Sequence, residues 1–204
     1  MPFANDALPN AGQTLQKAFE ALVTTLNERG IRYAIIGGLA ALQHTGVRAT
    51  DDIDVLLAVP QVAMPGLFEA LEKRAFVIDL QRNIRELRDE GITVIRFGDV
   101  VVDLLRPVVP AYEHVLDRAL NTPILGHSVR VSSAEGLIVM KLIAMRPQDE
   151  TDIQNILTAY AGKLDLEFIR AELDSFTQPD DPRRAKFERW LRQGAPDSSQ
   201  SSPA

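Results

Sequence analysis

Five runs of apolar residues, at positions 33–36, 52–59, 76–79, 93–97 and 100–105, punctuate the first half of the chain, and each is short and aliphatic enough to read as a buried strand. Ahead of them, residues 11–29 carry Leu15, Phe19, Leu22, Val23 and Leu26 at helical spacing, with Gly30 placed to end the helix in the left-handed conformation. A second helix is predicted over 62–74, and Gly98-Asp99 joins the last two strands as a hairpin turn. Beyond Pro107 the period becomes helical, which predicts helices over 111–120, 133–145, 151–161 and 166–173. The last stretch is rich in Pro, Ser, Asp and Gln; it holds one helix over 184–192, around Trp190, and ends with the composition of a disordered tail. The pattern predicts an α+β fold, a mixed sheet with flanking helices followed by a helical C-terminal half. Its divisions are residues 1–110 as the core, 111–177 as a helical subdomain and 178–204 as the tail.

Candidate chemistry gathers around the first two strands. Gly37 and Gly38 break the run that begins at Tyr33, and Leu39 to His44 has the spacing of a short helix. Strand, glycine turn and helix make a phosphate cradle, because glycine lets the backbone approach an anion and the first N–H groups of the helix point at it. A loop carrying Arg48 and Thr50 then leads to Asp52-Ile53-Asp54. Strand alternation puts both carboxylates on one face, roughly 6–7 Å apart at the backbone. Brought within about 5 Å they repel by roughly 3 kcal/mol at an effective dielectric near 20, and a hard cation such as magnesium removes that cost. Taken singly, a glycine pair is an ordinary turn and Asp-x-Asp can be the wet face of an edge strand; the combination is more specific than either. Asp103, alone in an apolar run, either joins these acids or sits at a solvated strand end.

A second cluster lies downstream. Ser132-Ser133-Ala134-Glu135 reads as a capping box that pairs Ser132 with Glu135 and opens a helix, and Lys141 falls late in that helix. There it either complements the helix dipole or offers a point charge to a phosphate chain. Arg146-Pro147 ends the helix, and Asp149 and Asp152 fall in the first turn of the next, where acids suit the dipole; Asp152 could also order Lys141 or Arg146, or act on an incoming hydroxyl. Arg48 is either a surface arginine or a cation facing the phosphates. His44, His114 and His127 have no metal-ligand spacing and are assigned no chemistry.

Gly37-Gly38, the spacer to Asp52-x-Asp54, and Asp103 together resemble the nucleotidyltransferase fold of the polymerase beta type. The stretch from Lys141 to Asp152 resembles the lysine and aspartate motifs of the AbiE-type nucleotidyltransferase toxins. The likeness spans residues 33–157. It implies that Asp52, Asp54 and Asp103 hold Mg2+ and, with Lys141, are the catalytic residues. It implies too that Gly37, Gly38, Arg48, Lys141, Arg146, Asp149 and Asp152 bind the nucleotide. The implied reaction moves a nucleoside monophosphate from a nucleoside triphosphate to a hydroxyl acceptor, a tRNA or a protein, in a toxin whose partner is an antitoxin protein. Many members carry Gly-Ser at the turn. Here the second position is Gly38, so contact with phosphate there is made by the backbone alone or not at all. A noncatalytic nucleotide-binding or protein-interaction module on the same fold is the alternative; the three acids weigh against it and the missing serine weighs for it.

Of the 204 residues 46% are hydrophobic, ample for a core, and there is no cysteine for disulfides or thiolate metal sites. No apolar run reaches the roughly 18 residues of a membrane span, and the amino terminus has neither the basic start nor the apolar stretch of a secretion signal, so a cytoplasmic protein is expected. The net charge of −6 argues against a protein that coats nucleic acid. Two basic stretches, Lys73 to Arg88 and Arg183 to Arg192, are solvated helix faces or the local patch that a tRNA substrate would need.

Overall fold

The computed structural model describes residues 8–46 and 50–194. Its first element, α1 (Leu8–Glu28), turns Phe19, Leu22, Val23 and Leu26 into the core. Gly30 ends it at φ +62°, and the N–H groups of Gly30 and Ile31 donate to the carbonyls of Asn27 and Leu26 at 3.0 Å. There follow β1 (Arg32–Ile35), α2 (Gly37–Thr45), β2 (Ile53–Ala58), a 3-10 turn (Gln61–Ala63) leading into α3 (Met64–Glu72), and α4 (Leu80–Asp89). A hairpin of β3 (Ile92–Phe97) and β4 (Val100–Leu105), α5 (Pro110–Asp117), and a second hairpin of β5 (Leu120–Ile124) and β6 (His127–Val131) come next. The chain then runs through α6 (Ala134–Ala144), α7 (Pro147–Ala159), α8 (Leu166–Phe176) and α9 (Pro182–Gly194).

The strand expected at 76–79 is reduced to a single bridge between Val77 and Arg96. Asp79 accepts the backbone N–H of Arg82 at 3.1 Å and starts α4 instead. The expectation of helices alone over 111–177 misses the β5–β6 hairpin. Leu125 and Gly126 both take positive φ, 47° and 84°, the signature of a type I′ turn that matches strand twist. Pro123 is tolerated because β5 is an edge strand. The helix expected over 184–192 is α9, which buries Phe187 and Trp190. The tail expected to be disordered lies, from residue 195, outside the described residues.

One mixed sheet runs in the order β3-β4-β2-β1-β6-β5. β2 is antiparallel to β1 and parallel to β4, and that register sets Asp54 opposite Asp103. Strand alternation then sorts the faces. Tyr33, Ile35, Ile53, Val55, Leu57, Val102 and Leu104 enter the main core with α1 and α3. On the other face Ala34, Ile36 and Leu56 pack under Val115 and Leu116 of α5 and Met140 of α6. That same face continues past its cover to Asp54 and Asp103, which line an open cleft. Among the described residues no helix is long and apolar enough to cross a membrane.

Candidate active site

The turn between β1 and α2 is built against the acids. Gly37 sits at φ +59°, and a Cβ placed there would lie 1.9 Å from Asp54 Oδ2, so both conformation and space require glycine. The Gly38 N–H donates to that oxygen at 3.3 Å. Ile36, the N-cap residue of α2, offers no side-chain hydrogen bond to the first turn. The helix start is therefore left for an acceptor that arrives from the cleft. Asp52 is exposed just ahead of β2, while Asp54 and Asp103 are half-buried on neighbouring strands.

Burial and mutual charge act on the two acids held in the strands. Burial pushes the Asp54 carboxyl above the ordinary carboxylate range; the Gly38 N–H opposes this, the Asp52 charge adds to it, and Arg146 and Lys141 oppose it more weakly. Asp103 is raised by burial first and then by the charges of Asp54 and Asp52, with Arg146 opposing. Among the described residues no three His, Cys, Asp or Glu side chains converge as a preformed metal site. The donor set nonetheless fits a hard divalent cation: three carboxylates face one cleft, two of them raised by burial and then by neighbouring charge, and none of the three has a cationic side chain bonded to it among the contacts described.

Opposite the acids stands a cationic wall from α6 and α7. Ser133 caps α6 by accepting the Gly136 N–H at 3.1 Å, so the cap is one residue later than the Ser132 capping box expected from sequence. Glu135 instead accepts the Asp165 N–H at 3.2 Å. Lys141, only 6% exposed, donates from Nζ to Asp149 Oδ1 at 3.0 Å and Asp152 Oδ2 at 2.6 Å. Asp149 also accepts the Arg146 backbone N–H at 2.9 Å, which ties the start of α7 to the lysine. Asp149 thus has its structural place at the start of α7, and Asp152 holds the Lys141 ammonium. Lys141, Arg146 and Asp149 line the cleft with Gly37, Gly38 and the three acids. Arg48 lies outside the described residues.

Thr50, Tyr112 and Gln148 line the same cleft, and no local pattern singles them out as site residues. His44 is structural. Its Nε2 donates to the Ser132 carbonyl and, in the neutral ring, Nδ1 accepts the Tyr160 hydroxyl, both at 2.8 Å, tying the far end of α2 to α6 and α7. The basic stretches are largely neutralised in place: Arg74 pairs with Glu28, Arg82 with Glu86, Arg88 with Asp89, Arg183 with Asp181, Arg184 with Asp174, and Lys186 with Glu150.

A glycine turn at a helix start, acids paired across parallel strands and a facing cationic wall define a nucleotidyltransferase. The family described as nucleotidyl transferase of unknown function (DUF2204) matches residues 15–186, and the chain belongs to it. The fold is also that of the antibiotic-resistance factor ANT(2'')-Ia. Its solution structure shares 19% identity over 89% of this chain and 98% of that one, with a TM-score of 0.56. The crystal structure of ANT(2'')-Ia in complex with adenylyl-2''-tobramycin shares 18% identity over 87% and 99%, with a TM-score of 0.52. At these identities the likeness is one of fold. No curated protein matches the sequence.

Proposed function

We propose that this nucleotidyltransferase moves a nucleoside monophosphate from a nucleoside triphosphate to a hydroxyl of a tRNA or a protein, releasing pyrophosphate. The observation that carries the reading is the register of Asp54 opposite Asp103 beside the Gly37-Gly38 turn. Asp52, Asp54 and Asp103 would hold Mg2+, which supplies positive charge for the phosphates. The chain's own part is to place them. The start of α2 receives phosphate oxygens, Arg146 and Lys141 stabilise charge from the opposite wall, and Asp103 accepts the proton of the attacking hydroxyl. Lys141 acts with most of its charge already balanced by Asp149 and Asp152, so Arg146 carries the larger share. In this reading residues 1–110 carry the acids and the turn, and residues 111–177 carry the wall.

The resemblance of the Lys141 to Asp152 stretch to AbiE-type enzymes supports a toxin that works in the cytoplasm and is held by an antitoxin. The crystal structure of ANT(2'')-Ia is of a complex with adenylyl-2''-tobramycin. Beside Asp103 the cleft of this chain is walled by Ile92, Leu105 and Tyr112, where an acceptor would lie. Since six cations of the basic stretches are paired in place, an RNA acceptor would be read mainly near its reacting end.

The test is incubation with magnesium, each of four α-labelled nucleoside triphosphates and a mixed tRNA and protein extract, beside the double variant Asp52→Asn, Asp54→Asn. Label enters RNA or protein with the wild type alone. Nucleotide binding without any transfer would instead support the noncatalytic module.

A further inference from the structure

We propose that the Thr50 hydroxyl is the neutral donor that fixes the triphosphate in this cleft, standing in the space that a side chain at position 38 would need. The proposal rests on the nucleotidyltransferase reading of the site and names a positioning residue within it.

Three observations carry it. A Cβ built on Gly38 would lie 2.6 Å from Thr50 Oγ1 and 2.7 Å from Thr50 Cβ, so the threonine side chain fills the volume that glycine leaves open at the start of α2. Thr50 lines the cleft with Gly37, Gly38, Asp52 and Asp54. Its hydroxyl is only loosely engaged: it donates to the Asp52 carbonyl at 3.3 Å and accepts the Asp52 N–H at 3.4 Å, both beyond the usual range for a hydroxyl. A rotation about one bond would therefore redirect the donor into the cleft at little cost.

The need for such a donor follows from its neighbours. A triphosphate offers only acceptor oxygens, and three carboxylates share its side of the cleft. The Gly38 N–H is directed at Asp54, and Lys141 is divided between two aspartates. A hydroxyl beside the helix start adds a hydrogen bond without a charge that the acids would capture. The absence of a side chain at position 38 and the presence of a hydroxyl at position 50 then form one arrangement, in which the donor has moved from the turn to the loop that faces it.

Thr50→Val keeps the shape and removes the donor; Thr50→Ser keeps the donor. Calorimetric titration with magnesium tripolyphosphate, followed by steady-state transfer kinetics, separates a phosphate contact from a brace for Asp52. The expected result is tripolyphosphate binding weakened about tenfold or more in Thr50→Val, with KM for the nucleotide raised more than kcat is lowered, and binding close to wild type in Thr50→Ser. Gly38→Ala, which pushes the hydroxyl aside without adding a donor, shows a similar loss and serves if Thr50→Val does not fold. Wild-type affinity in a folded Thr50→Val, or a fall in kcat at unchanged KM and unchanged tripolyphosphate affinity, overturns the proposal while leaving the enzyme reading intact. If the wild type itself binds neither tripolyphosphate nor nucleotide, both fall together.

Discussion

Residues at this site trade stability for chemistry. Asp54 and Asp103 are held above their ordinary range by burial and by acidic neighbours, so the folded chain binds protons that the unfolded chain has already released. Stability in the absence of metal therefore declines as pH rises from the unfolded-state value through the raised one, and the penalty is full above the raised value. Asp103→Asn should raise Tm in EDTA by roughly 1–3 °C, a small gain because solvent screens a half-buried group, and should flatten that acid-side decline. Adding magnesium should stabilise the wild type and not the variant; differential scanning calorimetry in both conditions checks each part. Gly37→Ala goes the other way. It forces a left-handed alanine and a Cβ into Asp54, and a loss on the order of 1–3 kcal/mol in urea denaturation should accompany loss of transfer. Gly37, Asp52, Asp54 and Asp103 could be nominated from sequence because strand alternation and glycine turns are local rules. Thr50 could not, since its meaning depends on packing against Gly38 across the turn.

Elements are joined here by buried polar contacts that sequence reveals only in part. Lys141 on α6 is held by Asp149 and Asp152 on α7 in a buried cluster. Removing the lysine takes a buried cation from both carboxylates, and Lys141→Met should cost about 3–5 kcal/mol. The triple variant Lys141→Met, Asp149→Asn, Asp152→Asn should recover much of that stability while remaining inactive. Urea midpoints for the two variants decide the matter, and a single variant as stable as the wild type would show that the cluster does not hold α6 to α7. The dipole rule that placed Asp149 in the first turn was correct as far as it went, but its second bond, to Lys141, is tertiary. The helix face expected around Arg82 to Arg88 is α4, which a polar contact also helps to dock. Asn83 reaches from that helix to Thr93 and Val94 of β3, at 2.8 and 3.2 Å, beside the apolar side chains Leu80, Ile84 and Leu87 that face the core. The β5–β6 hairpin escaped notice because Leu-Gly is an uncommon I′ turn and Pro123 breaks the strand pattern.

At the scale of the whole molecule, Trp190 on α9 is 3% exposed and belongs to the same core as α1 and the sheet. Its fluorescence and the far-UV circular dichroism should change together in urea, at one midpoint; an earlier fluorescence transition would mean that α9 detaches on its own. The paired arginines predict weak and shallowly salt-dependent binding to bulk RNA, measurable as the slope of log affinity against log salt. The position of β1 in the sheet has a further consequence for how the protein comes into being. It is bonded on one side to β2 and on the other to β6, a strand near residue 131. A nascent chain that has reached residue 110 already owns its three acids, yet one edge of β1 is still bare and the lysine wall has not been made. Such a chain is a sticky precursor rather than a small enzyme. Activity would switch on late in synthesis, after the second hairpin and α6 have left the ribosome, which keeps a half-built transferase from touching nucleotide.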